Sequence, residues 1–274
     1  MTYGKFCRDF YQRAFDEAFR RLGGEAAAQK RAIQETIMAA ISRFPDEEAA
    51  DLWEAIYAAH VHRKSGIDDR RIIENVIGAD QSWKKSSGHA FEEFIKEHGT
   101  DALRGNNIEI VLQRDLTAMI KNGGLDNFPK DIEWLKTQID GDVFDLYSIV
   151  KTADGKRFCY GCIQSKTSIR DRVSRDREPS MRAMDNFFWS VIVALDGGFL
   201  AMPKFNAMVN GGSGEFPENG WHGMYVFSEK YTHGRIYPTD PTFRNFREHA
   251  VRAATYWLTQ RQWFTRDWKA TDAE

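Results

Sequence analysis

The 274-residue sequence predicts an α/β chain: a helical N-terminal domain over residues 1–80, then a mixed α/β domain over residues 81–274. Three observations lead there. Before about residue 80, apolar residues recur at helical spacing between glycine and proline stops. Beyond it, strand-length apolar runs alternate with helical patterns. The longest β-rich stretch, "DVFDLYSIVKTADGKRFCYGCIQSK", folds back on itself around Asp154 and Gly155, a pair that tolerates the positive φ of a hairpin turn.

Taken in order, the first helix runs from Phe6 to Leu22 and stops at Gly23 and Gly24. A second covers about Glu25 to Phe44, with Ile33, Ile37 and Ile41 on one face, and a third follows Pro45 to about Lys64. Next come a helix through "SGHAFEEFIKEHG", a strand at "IEIVLQ" and a helix opened by Pro129 in "PKDIEWLKTQI". The two hairpin strands follow, then a helix at "SMRAMDNFFWSVIVAL". Strands at "FNAMVNG" and "GMYVFSE" and a long helix from about Thr242 to Phe264 complete the prediction. No internal repeat or low-complexity linker interrupts the chain.

Composition excludes little. With 42% hydrophobic and 28% charged residues the chain is ordinary for a globular protein, and its net charge of −2 means that any basic surface is local. No run approaches the roughly 18 apolar residues of a membrane span. The opening "MTYGKFCRDFYQRAF" is charged and aromatic where a signal peptide has an apolar centre, so a cytoplasmic location is expected. Cys7, Cys159 and Cys162 are too few for a disulfide framework. Cys159 and Cys162 form a C-x-x-C, but on a regular strand residues three apart face opposite ways, and no second Cys or His pair completes a zinc site. His60 and His62, two apart on a helix, diverge as well. Most of the eight tryptophans and nineteen phenylalanines are assigned to the core.

The chemistry concentrates at the open end of the hairpin. With a two-residue turn at Asp154 and Gly155, opposed residues have numbers summing to 309, which sets Asp145 across from Gln164 and one diagonal step from Lys166. An acid on one strand and a D/E-x-K triplet on the next is the pattern of the PD-(D/E)-x-K nucleases. There carboxylates hold Mg²⁺ at the scissile phosphate, and a lysine activates water and offsets developing charge. In this chain the triplet is Gln164, Ser165, Lys166, so an amide stands where the second acid is expected. Glu92 or Glu93 of "GHAFEEFI", or Glu178 twelve residues after Lys166, is the candidate replacement. Downstream, Arg170, Asp171 and Arg172 have the chemistry to read adjacent G·C pairs, arginine on guanine O6 and N7 and the carboxylate on cytosine N4. The same run also carries i,i+4 opposite-charge pairs, Asp171 with Arg175 and Arg172 with Asp176, as a solvated helix would.

The stretch "GCIQSKTSIRDRVSRDREPSM" resembles the BsaWI-like type II restriction endonucleases, of the group that reads CCGG-centred sites. The similarity extends through "RKSGI", "SWKKSSGHAFEEFI", "VFDLY", "FFWS", "MPKF", "AMVNGG", "NGWHGMYVF" and "RQWF". It implies a restriction-endonuclease-like catalytic domain with a central mixed sheet flanked by helices. It also implies Mg²⁺ as cofactor and cleavage of double-stranded DNA at W-CCGG-W, W being A or T, to leave four-base 5′ ends. By the same resemblance Asp145 and Lys166 are catalytic, with Glu92 and Glu178 as further acids. Asp145, Glu178 and Ser165 form the metal set, Asp176 or Asp185 stands as the other option for the second carboxylate, and Arg170, Asp171 and Arg172 contact bases. A palindrome cut in both strands implies a homodimer or a higher homo-oligomer, and a restriction enzyme implies a cognate methyltransferase in its host.

Two rivals use the same fold: a silent sequence-specific DNA-binding protein in which Gln164 marks a lost site, and a structure-specific repair nuclease whose arginines grip phosphates. A zinc protein built on Cys159 and Cys162 is a more distant third.

Overall fold

The computed structural model describes residues 2–67, 69–168, 173–196, 198–228, 230 and 232–272. The chain separates into two compact units, Met1–Lys84 and Lys85–Glu274.

In the first unit, α1 (Tyr3–Leu22) ends on Gly23 at φ 68°, a left-handed position that glycine takes without a Cβ penalty. Helices α2 (Glu25–Arg43) and α3 (Ala49–Ser65) complete its core. The face of α2 that goes inside is Ala28, Ala32, Thr36 and Ala40, one residue removed from the isoleucine row, and Ile41 is left exposed. Small side chains on that face allow the helix axes to approach closely, so packing distance overrode the more hydrophobic stripe. Tyr11 and His60 share a hydrogen bond of 2.9 Å between the hydroxyl and Nδ1.

The division between units falls within α4 (Arg70–Leu103), a single 34-residue helix where the sequence predicted only its C-terminal part. The second unit is built on one six-stranded sheet whose spatial order follows the chain: β1 (Ile108–Leu112), β2 (Leu146–Lys151), β3 (Arg157–Ser168), β4 (Trp189–Asp196), β5 (Gly223–Val226) and β6 (Ile236–Pro238). The pairs β1–β2 and β2–β3 are antiparallel, and β3–β4, β4–β5 and β5–β6 are parallel, so the expected mixed sheet is present. Between the strands lie α5 (Gln113–Lys121), α6 (Pro129–Asp140), α7 (Val173–Asp185) and α8 (Pro203–Asn210), and α9 (Arg244–Gln260) follows β6. One sheet face packs Tyr160, Ile163 and Trp189 against Phe91 and Ile95 of α4 and Phe246 and Trp257 of α9. The opposite face packs Tyr147 and Cys162 against Leu116, Leu135 and Ala183.

Two expected elements are corrected here and one is added. The run predicted as one helix through "SMRAMDNFFWSVIVAL" is the end of α7 followed by β4. Val191 and Val193 join one core and Ile192 and Ala194 another, so this central strand is apolar on both faces and lacks the alternation of a half-buried one. "FNAMVNG" lies in helix α8, opened by Pro203 at its first position. Helix α5, absent from the prediction, is held at its start by Asp115, whose Oδ2 accepts the Leu112 N–H at 3.3 Å and the Lys96 ammonium at 2.7 Å.

The hairpin register at its open end is the one expected, reached by a different path. Leu146 pairs with Ile163, Tyr147 with Cys162 and Ser148 with Gly161, while nearer the turn Ile149 pairs with Cys159 and Lys151 with Arg157. The connection is one residue longer than a two-residue turn, closed by Thr152 N–H to Lys156 O at 2.9 Å. A bulge then places Tyr160 as an extra residue on β3 and restores the sum of 309. That bulge also overturns the argument for diverging sulfurs: Cys159 and Cys162 lie in the same buried cluster, both free thiols. Burial raises both thiols far from the reactive range.

Among the described residues no helix is long and apolar enough to cross a membrane.

Candidate active site at the open end of the β2–β3 hairpin

Asp145 stands immediately before β2. Its N–H donates to the Ile163 carbonyl at 3.1 Å and its own carbonyl accepts the Gln113 N–H at 3.3 Å, so its backbone is tied to elements on both sides. Its carboxylate Oδ2 accepts the Ser165 N–H at 2.6 Å. This short, charge-assisted bond draws the acid onto the last residues of β3. Lys166, one residue on, places Nζ 3.3 Å from Oδ2 of Asp176 in the first turn of α7, with both side chains about a quarter exposed at 27% and 24%.

Gln164 is buried, at 1% exposure. Its Oε1 accepts the indole N–H of the fully buried Trp221 at 2.8 Å and its Nε2 donates to the Asp176 carbonyl at 3.2 Å.

Glu92 approaches the same region from α4. Burial raises its carboxyl above the ordinary value; a 3.3 Å contact with His89 Nδ1 pulls the other way, and the negative charges of Asp145 and Asp142 add to the rise. Burial likewise raises Asp176, opposed by Lys166 and reinforced by Asp145. Asp145 thus acts electrostatically on both Glu92 and Asp176. Acids that repel one another in a partly dry setting are poised to gain from a cation.

The other candidate acids lie elsewhere. Glu178 is 72% exposed and pairs with Arg182 along α7, so Asp176 and not Glu178 meets Lys166. Asp185 is bound to Arg266, with Arg266 Nε 2.6 Å from Oδ1. Glu93 pairs with Arg114. Arg170, Asp171 and Arg172 lie outside the described residues. Of the tryptophans, Trp221 is core, whereas Trp83 and Trp263 are exposed at 71% and 64%.

Among the described residues no three His, Cys, Asp or Glu side chains converge closely enough to enclose a metal ion. A magnesium ion does not require such a cage. It is commonly held by one or two carboxylates and completes its shell with water and substrate phosphate oxygens. Asp145, which accepts the Ser165 N–H, and Asp176, which pairs with Lys166, could form a donor set of that kind. Sequence reasoning missed the Trp221–Gln164 contact, which joins residues 57 apart and has no local signature. It missed His89 too, although its position one helical turn before Glu92 was readable.

Among curated proteins no sequence matches this chain. The family model described as "BsaWI restriction endonuclease type 2" matches residues 126–263, which span Asp145, Lys166 and Asp176. A crystal structure of the pre-specific restriction endonuclease BsaWI–DNA complex is 54% identical, covers 98% of this chain and 99% of its own, and superposes with a TM-score of 0.85. A crystal structure of the specific restriction endonuclease AgeI–DNA complex is 18% identical over 89% of this chain and 91% of its own, with a TM-score of 0.48. With a family model across the hairpin and α7, and this identity over nearly the whole length, the chain belongs to the BsaWI family of type II restriction endonucleases.

Proposed function

We propose that this chain is a Mg²⁺-dependent endonuclease that cuts both strands of duplex DNA at W-CCGG-W and leaves four-base 5′ ends. The observation that carries the reading is the meeting of Asp145, Lys166 and Asp176 at one end of the hairpin, in a chain 54% identical to an enzyme crystallised on DNA.

In this reading Asp145 and Asp176 hold the metal with help from Ser165, in place of the Glu178 that spacing suggested. When bound, magnesium supplies charge neutralisation at the phosphate and a more acidic water. Lys166 orients the attacking water and offsets the charge that develops on the phosphate. Glu92 accepts a proton more readily than an ordinary carboxylate, which suits a group that relays protons near the site. Residues 81–274 form the catalytic and DNA-recognition domain, in which Arg170, Asp171 and Arg172 read the C·G pairs, and residues 1–80 form the helical domain.

A palindrome cut symmetrically requires two centres related by a two-fold axis, hence a homodimer. Such an enzyme works in the cytoplasm, beside a methyltransferase that protects host sites.

The test is to incubate the purified protein with plasmid in Mg²⁺ and in EDTA and sequence the ends. Ends at W-CCGG-W only in Mg²⁺ are expected; scattered ends would favour a repair nuclease. Site-selective binding without cuts would favour a silent DNA-binding protein, the reading that the amide at Gln164 invites.

A further inference from the structure

We infer that Gln164 is a positioning residue for the proposed cleavage, its side-chain amide bridging Trp221 to the first turn of α7 so that Asp176 meets Lys166. This deepens the proposed function and rests on it.

The geometry allows the amide only one orientation. An indole N–H donates and never accepts, so the Trp221 side, at 2.8 Å, must receive Oε1. Nε2 then faces the Asp176 carbonyl at 3.2 Å, an oxygen that needs a donor. Both partners are satisfied at a position only 1% exposed, where a mismatched polar group carries its full desolvation cost. A carboxylate at residue 164 would still accept from Trp221, yet it would set an oxygen against the Asp176 carbonyl and push that turn away. The position where D/E-x-K nucleases carry an acid therefore requires a donor here, and the amide holds a neighbouring backbone in place.

The consequence is carried one residue further. Asp176 is fixed at its backbone by Gln164, and its side chain then lies 3.3 Å from Lys166 Nζ. Arg177 holds the adjoining residue, with Nε donating to the Met208 carbonyl at 3.2 Å, so the start of α7 is pinned from two directions. Gln164 is the anchor on the side of the acid.

Three variants of the full chain test this: Gln164→Met, Gln164→Glu and Trp221→Phe. Each is measured for single-turnover cleavage at saturating duplex and Mg²⁺, for duplex affinity in EDTA, and for melting temperature. Both Gln164 variants should slow the cut roughly ten- to hundred-fold, the effect of misplacing a reacting group by about an ångström. Trp221→Phe should slow it by a smaller factor, and duplex affinity in EDTA should be unchanged in all three. A Gln164→Glu variant that cuts as fast as the parent or faster would overturn the inference, because residue 164 would then be a vacated acid position. Loss of cutting that only tracks loss of melting temperature across the three would overturn it too, as the mark of a general structural role. A parent chain that fails to cut at all would instead remove the proposed function.

Discussion

Asp145 has two jobs that separate by substitution. Its carboxylate accepts the Ser165 N–H at 2.6 Å, and its charge acts on Glu92 and Asp176. Asp145→Asn keeps an acceptor for that N–H and removes the charge; Asp145→Ala removes both. Both variants should lose cleavage while duplex binding is largely retained, and only the alanine should lower stability, by about 1 kcal/mol in denaturant titrations. Cutting by Asp145→Asn at the parental rate would take Asp145 out of the chemistry. For Arg170 and Arg172, replacement by Ala should cost about 1–3 kcal/mol on duplexes with the G·C core and much less on random ones, measured as binding competition. Equal losses on both would reassign them to phosphate contacts.

A second residue-scale expectation concerns acid. Burial lowers His249 from the ordinary 6.5 to about 4 and His222 to about 3, with Arg252 adding to the first and Arg235 to the second. For a histidine depressed in the folded state, the unfolded chain takes up the proton first as pH falls. The contribution to stability is therefore complete above pH 6.5 and declines as pH drops toward about 4 for His249, at up to about 1.4 kcal/mol per pH unit. Comparing denaturant unfolding at pH 7 and pH 5, His249→Gln should show a shallower dependence than the parent; an equal slope would exclude His249 as the titrating group.

At the scale of elements, the β2–β3 hairpin holds the register of the site through a connection one residue longer than expected and a compensating bulge at Tyr160. Deleting Ala153 should leave a two-residue Asp-Gly turn and preserve cleavage, because no strand pairing changes. Inserting one alanine between Ile163 and Gln164, beyond the bulge, slides residues 164–166 by one against β2 and turns their side chains to the opposite face, so cleavage should vanish. Survival of cutting after this insertion would show that the register does not set the site. The same hairpin marks what the sequence makes legible. Asp145 beside the Gln164–Lys166 strand was readable because pairing constrains residues about twenty apart. Asp176 at Lys166 was less so, since it depends on where α7 begins. The strand β4 was misread as helix because a strand buried on both faces shows no period, and α8 was misread because its eight residues are too short to display one. The Trp221 contact needed the finished sheet.

At the scale of the whole molecule, the proposed two-fold dimer would place one hairpin end on each DNA strand. Mixed dimers of one parental and one Asp145→Ala subunit, isolated by two different affinity tags, should convert supercoiled plasmid to open circles and stop there. Linear product from such dimers would show that a single subunit cuts both strands. Sedimentation should give twice the 31.6 kDa of one chain.

The meeting of Lys166 with Asp176, ten positions on, also bears on how such enzymes are found. A pattern search that demands an acid two places before the lysine passes over this chain, although a carboxylate stands within reach of that lysine. The end of β3 and the start of α7 are neighbours in space, so the carboxylate that meets the lysine can come from the helix and not from the strand. Spatial templates that ask for a carboxylate near the lysine, from whichever element, will recover chains that linear patterns discard.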